Sequence, residues 1–283
     1  MKAGFSEHAI YWLMRAISYS IIGVIAYIVF DIVVNGLPAI RWSFLADFPR
    51  RSGAEGGIFP AIVGTLYLVI RAIIVALPLG MGSALYLTEY AQQGRFTRAV
   101  RLAIITLAGV PSVVYGLFGL GLFVIFFGFG ASIIAGSLTL ACMILPTIIV
   151  SSEEALRAVP QELREASLAL GATRWQAIYT NVLPYAVPGM LTGSILGIGR
   201  AAGETAPILL TVAAFYLPNL PKSLFDQVMA LPYHLYILAT QHPEAEKVRS
   251  MQYGAALVLL VLVLGINLAA IMLRSRFRKK YRW

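Results

Sequence analysis

Charge is what this sequence has least of. Only 12% of its 283 residues are Asp, Glu, Lys or Arg, about half the ~25% usual in soluble chains, while 59% are apolar. So few charges cannot cover a water-facing surface, which excludes a soluble globular enzyme. Disordered, collagen-like and coiled-coil chains fall with it, since each needs a polar or repetitive composition. Cysteine occurs once, as Cys142, so no intrachain disulfide forms. His8, His234 and His242 make no metal-ligand spacing, and no nucleophile–base pair is evident. No lysine follows a glycine, so the phosphate-cradling string G-x-x-x-x-G-K-[ST] is absent. The G-x-G-x-x-A string at Gly197–Ala202 lies inside an apolar run with no strand before it, which rejects a dinucleotide site.

What is there are long apolar runs. A helix needs about 20 mostly apolar residues to cross a bilayer, and six segments qualify: 16–34, 58–88, 102–127, 132–150, 185–210 and 253–273. The expected fold is an all-α polytopic membrane protein of one transmembrane domain, 1–283. The first run is too long for a signal-peptide core and lacks an A-x-A cleavage site, so it reads as a retained span. Pro78 and Gly80 interrupt the second, which predicts a kinked helix whose end, Met81 to Tyr90, leaves the hydrocarbon. Gly128, Gly130 and Ser132 mark a tight turn before the fourth.

The formal net charge of +9 invites a nucleic-acid reading. Its distribution removes it. The terminal segments and the connections 89–101 and 151–184 hold fourteen basic residues, whereas the alternate connections, 35–57 and 211–252, hold six. By the positive-inside rule the richer side is cytoplasmic, with both termini inside. Six acids fall on each side, and Arg71, Arg200 and Glu204 lie within spans. Nearly all of the excess charge is therefore an orientation signal. The external loops are 35–57 and 211–252; Pro218, Pro221, Pro232 and Pro243 punctuate the second, which is expected to hold one or two short helices.

The cytoplasmic loop 151–184 carries helix signals. Ser151-Ser152-Glu153-Glu154 has the form of a capping box. Pro160 suits a first helical position, and Gly171 stands where a helix-ending glycine belongs. Thr173-Arg174-Trp175-Gln176 offers a second capping box. A solvated linker is the plain alternative. Against it, Leu163, Ala166, Leu170, Trp175, Ile178 and Val182 are too apolar for a free linker, and a Trp beside a turn suits a partner's pocket.

Within the spans, Arg200 and Glu204 stand at i and i+4 on one helix face. Ionisable residues at membrane depth are costly and mark candidate functional sites; the competing reading is a self-neutralising packing pair. Arg71 faces the same cavity, snorkels, or pairs with Glu204. Gly189, Gly193 and Gly197, with Gly199 and Gly203, form small-residue faces for close helix packing, in which the neighbour is another helix of this chain or of a second subunit. Asn267 suits an interhelical hydrogen bond. Arginine's planar fork of donors matches oxyanions. A carboxylate beside it accepts a hydrogen bond from protonated phosphate but repels sulfate, so the set suits an anion path.

Glu165-Ala166-Ser167, Gly171 and Leu183-Pro184 resemble the E-A-A-x3-G-x9-I-x-L-P motif of binding-protein-dependent ABC transporter permeases, with Ser167 in place of the second Ala and Asn181 in place of the Ile. Gly199 to Pro207 (GRAAGETAP), Val110 to Leu117 (VPSVVYGL) and Ala230 to Tyr236 (ALPYHLY) resemble the PstA type of phosphate permease. The resemblance implies a type I ABC importer (MetI-like) permease fold with no catalytic residues of its own. It implies a PstC-like second permease, two PstB-like ATPases that hold the ATP and Mg, and a periplasmic phosphate-binding protein; no cofactor is expected in this chain. It assigns Glu165, Ala166, Gly171, Leu183 and Pro184 to ATPase coupling, which Arg174 and Trp175 beside the turn join by position, and Arg200 and Glu204 to phosphate passage in the cell inner membrane, with Arg71 the third charged candidate within the spans. A permease for molybdate, sulfate or phosphonate, or a stand-alone carrier or channel, remains the alternative.

Overall fold

The computed structural model describes residues 5–50, 55–217, 219–243 and 246–280. Lys2, Arg51, Pro218, Glu244 and Arg282, which entered the reading of charge and loops, lie outside the described residues. The chain opens with α1, Phe5–Gly36, exposed along nearly its whole length. A short helix α2, Trp42–Ala46, and an antiparallel pair, β1 Pro49–Arg50 with β2 Glu55–Gly56, follow it. The second long helix, α3, covers Phe59–Leu85 and continues through a π-helical turn at Tyr86–Tyr90. Pro78 sits inside it without ending it.

The run expected as one span over 102–127 is broken. Helix α4, Arg95–Ala108, and helix α5, Ser112–Gly119 with its π-helical extension Leu120–Phe126, meet at a bend of 105°. Pro111 has no N–H to donate and disfavours helical geometry at Val110, so the helix must stop there. The turn read from Gly128 and Gly130 is present: their φ angles are +69° and +66°. Ser132 then caps α6, Ile133–Arg157, its hydroxyl accepting from the Ala135 N–H at 3.3 Å.

No helix starts at Ser151–Glu154, contrary to the capping box read there. Helix α6 runs straight through, and Ser151 turns its hydroxyl back to donate to the Thr147 carbonyl at 2.7 Å. A cap needs a non-helical residue at its head, and nothing after Pro146 breaks the helix before Arg157. Helix α7 covers Gln161–Ala169, with Pro160 as its cap residue and not its first turn. Helix α8, Arg174–Ala177, passes through a π-helical turn, Ile178–Val182, into α9, Leu183–Gly203. The run expected over 185–210 breaks at Glu204, whose ψ of 132° is extended, before the short α10, Ala206–Thr211. Helix α11, Leu231–Thr240, and the long α12, Arg249–Lys280, complete the chain.

Among the described residues five helices are long and apolar enough to cross a membrane, and six if the bent α4–α5 pair counts as one span. The core sits where α3, α6 and α9 meet, built on Leu68, Ala72, Ile144, Ile148 and Ala201. Gly80 lets α3 and α6 touch: a Cβ there would stand 2.6 Å from Ile148 Cγ2. Near the start of α3, the Leu231 N–H donates to Thr65 Oγ1 at 2.8 Å, which ties the 211–252 segment to the bundle.

Candidate translocation site and coupling loop

Arg200 lies in the last turn of α9, and Glu204 is the residue at which that helix ends. The Arg200 Nε donates to Glu204 Oε1 at 3.0 Å. Glu204 is largely covered, with 16% side-chain exposure, while Arg200 remains 43% exposed. The pair uses only the Nε of the guanidinium, which leaves its two Nη groups open. Arg200 is therefore held in place but not committed to Glu204, and among the described residues no other side chain takes its guanidinium.

The short helix α10 packs closely on α5 here. A Cβ on Gly116 of α5 would stand 3.0 Å from the Ala206 carbonyl oxygen and 3.1 Å from Pro207 Cα, so α5 and α10 approach backbone to backbone. The chain just after the Glu204–Thr205 break thus packs against the body of α5. Non-helical backbone at membrane depth persists where it is buried in protein or lines a water-filled cavity. Arg71 is not part of the pair. It turns along its own helix, its Nη1 donating to the Tyr67 carbonyl at 3.3 Å and its guanidinium lying 4.8 Å from the Tyr67 ring centre.

Gly189, Gly193, Gly197 and Gly199 of α9 face other helices of this same chain. A Cβ on Gly189 would meet Ala155 Cβ at 2.7 Å, and Gly193 lies directly against Ser151, both on α6. Gly197 is closest to Ile144 and Ile148, while Gly203 has open space. Gly199 abuts Asn267 of α12, whose Oδ1 is buried without a partner, so the expected interhelical hydrogen bond is absent from that oxygen.

The 151–184 loop forms helix, turn and helix. Gly171 adopts φ +84°. Its N–H donates to the Leu168 carbonyl at 3.0 Å, and the Ala172 N–H donates to the Ser167 carbonyl at 3.2 Å. That pair of bonds is a Schellman motif, which needs a left-handed residue at its turn. Thr173 and Gln176 then exchange both bonds of a capping box. The result has two faces. Glu165, Ala166, Leu168, Leu170, Arg174, Trp175 and Tyr179 are exposed, with Leu170 at 90%. Trp175 and Tyr179 stack with ring centres 6.3 Å apart. Leu183 and Pro184 lie half-buried where the loop re-enters the bundle.

Sequence reasoning counted Glu89, Arg101 and Arg164 only as topology charges and read Glu153 otherwise only within a capping-box string. In the fold they form links. Arg164 pairs with Glu89 at 2.9 Å, and Arg101 with Glu153 at 3.2 Å, while Arg157 reaches Glu153 at 3.1 Å. Their partners lie 75 and 52 positions apart in the first two cases, a separation no local spacing reveals.

Residues 76–283 match the family described as "Binding-protein-dependent transport system inner membrane component". The chain is 34% identical over 274 residues to the "Probable ABC transporter permease protein YqgI" of Bacillus subtilis, covering 92% of this chain and 90% of that protein. It is 43% identical over 220 residues to the "Phosphate transport system permease protein PstA 1" of Mycobacterium tuberculosis, covering 77% and 70%. In three dimensions it is similar to a chain of a bacterial ABC transporter that imports the acidic polysaccharide alginate, with TM-score 0.68 at 17% identity over 94% of this chain and 96% of that one. A chain of the inward-facing MetNI methionine transporter gives TM-score 0.59 at 20% identity, over 78% and 94%. The likeness extends over the coupling loop and the broken helices alike, and with a MetI-like fold and a family match over most of its length this chain is a multi-pass membrane permease of the binding-protein-dependent ABC importer family.

Proposed function

We propose that this chain passes inorganic phosphate inward across the cell membrane as the PstA-like subunit of an ABC importer. The observation that carries the reading is the Arg200–Glu204 pair at the break between α9 and α10. The guanidinium offers a charged fork to phosphate oxygens. The carboxylate accepts from a protonated phosphate oxygen, which sulfate lacks. Most of the guanidinium's donors stay open beside the pair, so a passing anion binds Arg200 without Glu204 having to leave. The 43% identity to a protein named as a phosphate permease supports the same substrate.

The remaining parts follow the importer plan. A phosphate-loaded binding protein docks on the 35–57 and 211–252 loops. A PstC-like permease completes the pathway, and two PstB-like ATPases, holding ATP and Mg, receive the exposed Leu170 and Trp175 of the coupling loop. Both termini face the cytoplasm, a reading that the distribution of basic residues supports. The test is phosphate uptake by cells or liposomes carrying Arg200→Gln. The expected result is loss of uptake with the four-component complex intact. Wild-type uptake by that variant, or uptake of sulfate in preference to phosphate by the native complex, overturns the reading.

A further inference from the structure

The exposed face of the coupling loop is free to meet a partner, so its buried face must decide where a push on the loop goes. Covalently the loop continues only into α6 and α9. Its polar contacts reach a third helix. Arg164 of α7 aims Nε and Nη2 at one oxygen of Glu89, Oε1, at 3.2 and 2.9 Å. Glu89 belongs to the π-helical turn that ends α3, and its side chain is only 8% exposed. The same guanidinium donates to the Val159 carbonyl at 2.7 Å and to the Leu156 carbonyl at 2.8 Å. One side chain therefore ties the end of α6, the start of α7 and the end of α3. Beyond the Gly171 turn, Arg174 of α8 lies 5.3 Å from the ring centre of Tyr90, the neighbour of Glu89. Both helices of the loop thus grip one turn of α3.

Helix α3 leads from that grip to the substrate region and beyond. Thr65, Leu68 and Val69 share a hollow with Ala201, Ala202 and Glu204. The same Thr65 accepts from the Leu231 N–H of the 211–252 segment. A buried carboxylate is costly unless it is paired, so the arrangement resists opening and transmits displacement.

We infer that Glu89 and Arg164 are a positioning pair that makes α3 the arm by which the coupling loop acts on the translocation region and on the external segment. This deepens the importer reading and rests on it. The pair touches neither phosphate nor ATP; it fixes the geometry through which one drives the other.

The test uses the full transporter, with its ATPase and binding protein, in liposomes, and reads ATP hydrolysis and phosphate uptake separately. Glu89→Ala removes the acceptor, and Arg164→Lys keeps the charge but loses the fork. Both are expected to co-purify with the ATPase and hydrolyse ATP at near the native rate, while phosphate moved per ATP falls about tenfold. Glu89→Gln keeps an acceptor oxygen in place and is expected to retain most of the coupling. A purely structural pair would not separate hydrolysis from uptake in this way. Unchanged uptake per ATP in both variants overturns the inference. So does loss of the ATPase from both, or failure of both to assemble, since the pair then only builds the loop. Absence of phosphate uptake by the native transporter in the same liposomes is a different result, and it sinks the phosphate reading instead.

Discussion

The Asn181 amide nitrogen donates to the Ser167 hydroxyl at 2.6 Å, joining α7 to the π-helical turn that leads into α9. These are the two positions at which the loop departs from the permease motif it resembles, where Ala and Ile would stand. In the fold the half-buried Asn181 amide takes the Ser167 hydroxyl as its partner. Ser167 is buried, and its own hydroxyl donates to the Leu163 carbonyl at 2.8 Å. Ser167→Ala strands the Asn181 amide and is expected to cost about 1 kcal/mol. Asn181→Ile sets a branched side chain against a hydroxyl, at about 1–3 kcal/mol. The double substitution restores an apolar contact and is expected to recover at least about 0.5 kcal/mol over additivity. Thermal melts of the purified chain measure all three; strictly additive losses would show that the bond carries nothing.

Gly171 gives a second test, on the conformation of the turn. Its φ of +84° suits glycine, and no atom lies within 4 Å of a Cβ placed there. Any penalty is therefore backbone strain alone, of order 1–2 kcal/mol for alanine. Asparagine tolerates the left-handed region better than alanine, and valine tolerates it worse. ATPase retained on co-purification is expected to fall in the order Gly, Asn, Ala, Val. A different order would mean that side-chain bulk at the docking surface, and not the turn, controls association.

Hydropathy made the spans legible, and turn chemistry made Gly128, Gly130, Gly171 and Thr173 legible, because each signal is local. Two breaks carried local signals that the apolar runs masked. Pro111 stops α4, and Pro207 has no N–H for the Gly203 carbonyl four residues back and its ring crowds that carbonyl, so α9 cannot continue through it; yet both prolines sit in stretches apolar enough to read as continuous spans. The Ser151–Glu154 pattern failed in the opposite sense, since a serine inside a helix can satisfy itself on the preceding turn. The Arg200–Glu204 pair was visible as a spacing of four, but its place at the end of α9 was not. The Glu89–Arg164 pair depends on chain folding over 75 positions, and composition can only count such residues.

His234 brings pH into the external segment. It lies in α11, outside the candidate spans, with 1% exposure and its ring stacked 5.5 Å from that of Phe215. Burial favours the neutral ring and pushes its pKa down to about 4, against about 6.5 in an unfolded chain. Between those values the unfolded chain binds more protons. The stability owed to neutral His234 is therefore full above about pH 6.5 and is lost as pH falls toward about 4. The loss is up to about 3 kcal/mol. His234→Phe keeps the stack and removes the proton, so its melting temperature is expected to depend less on pH over that range. Equal slopes for the two proteins would assign the acid sensitivity elsewhere.

The closest approach between α6 and α9 yields the last prediction. Gly193 lies so near Ser151 that a Cβ would overlap the serine hydroxyl. Ser151 in turn is held toward the Thr147 carbonyl at 2.7 Å, so it has little freedom to withdraw. Gly193→Ala must therefore part the helices or displace Ser151, and overpacking of this kind costs about 1–3 kcal/mol. The two helices carry the ends of the coupling loop, at Arg157 and Leu183, so parting them also shifts the loop's anchor points. Ser151→Gly removes the obstructing atoms. Combined with Gly193→Ala it moves the small residue from one helix to the other and keeps the contact close. A glycine inside a helix costs about 1 kcal/mol relative to alanine, but the exchange of one glycine for another leaves that count unchanged. The double variant is thus expected to melt above Gly193→Ala alone and to regain ATPase association. If Ser151→Gly gives no relief, the destabilisation arises from some contact other than the one between these two residues.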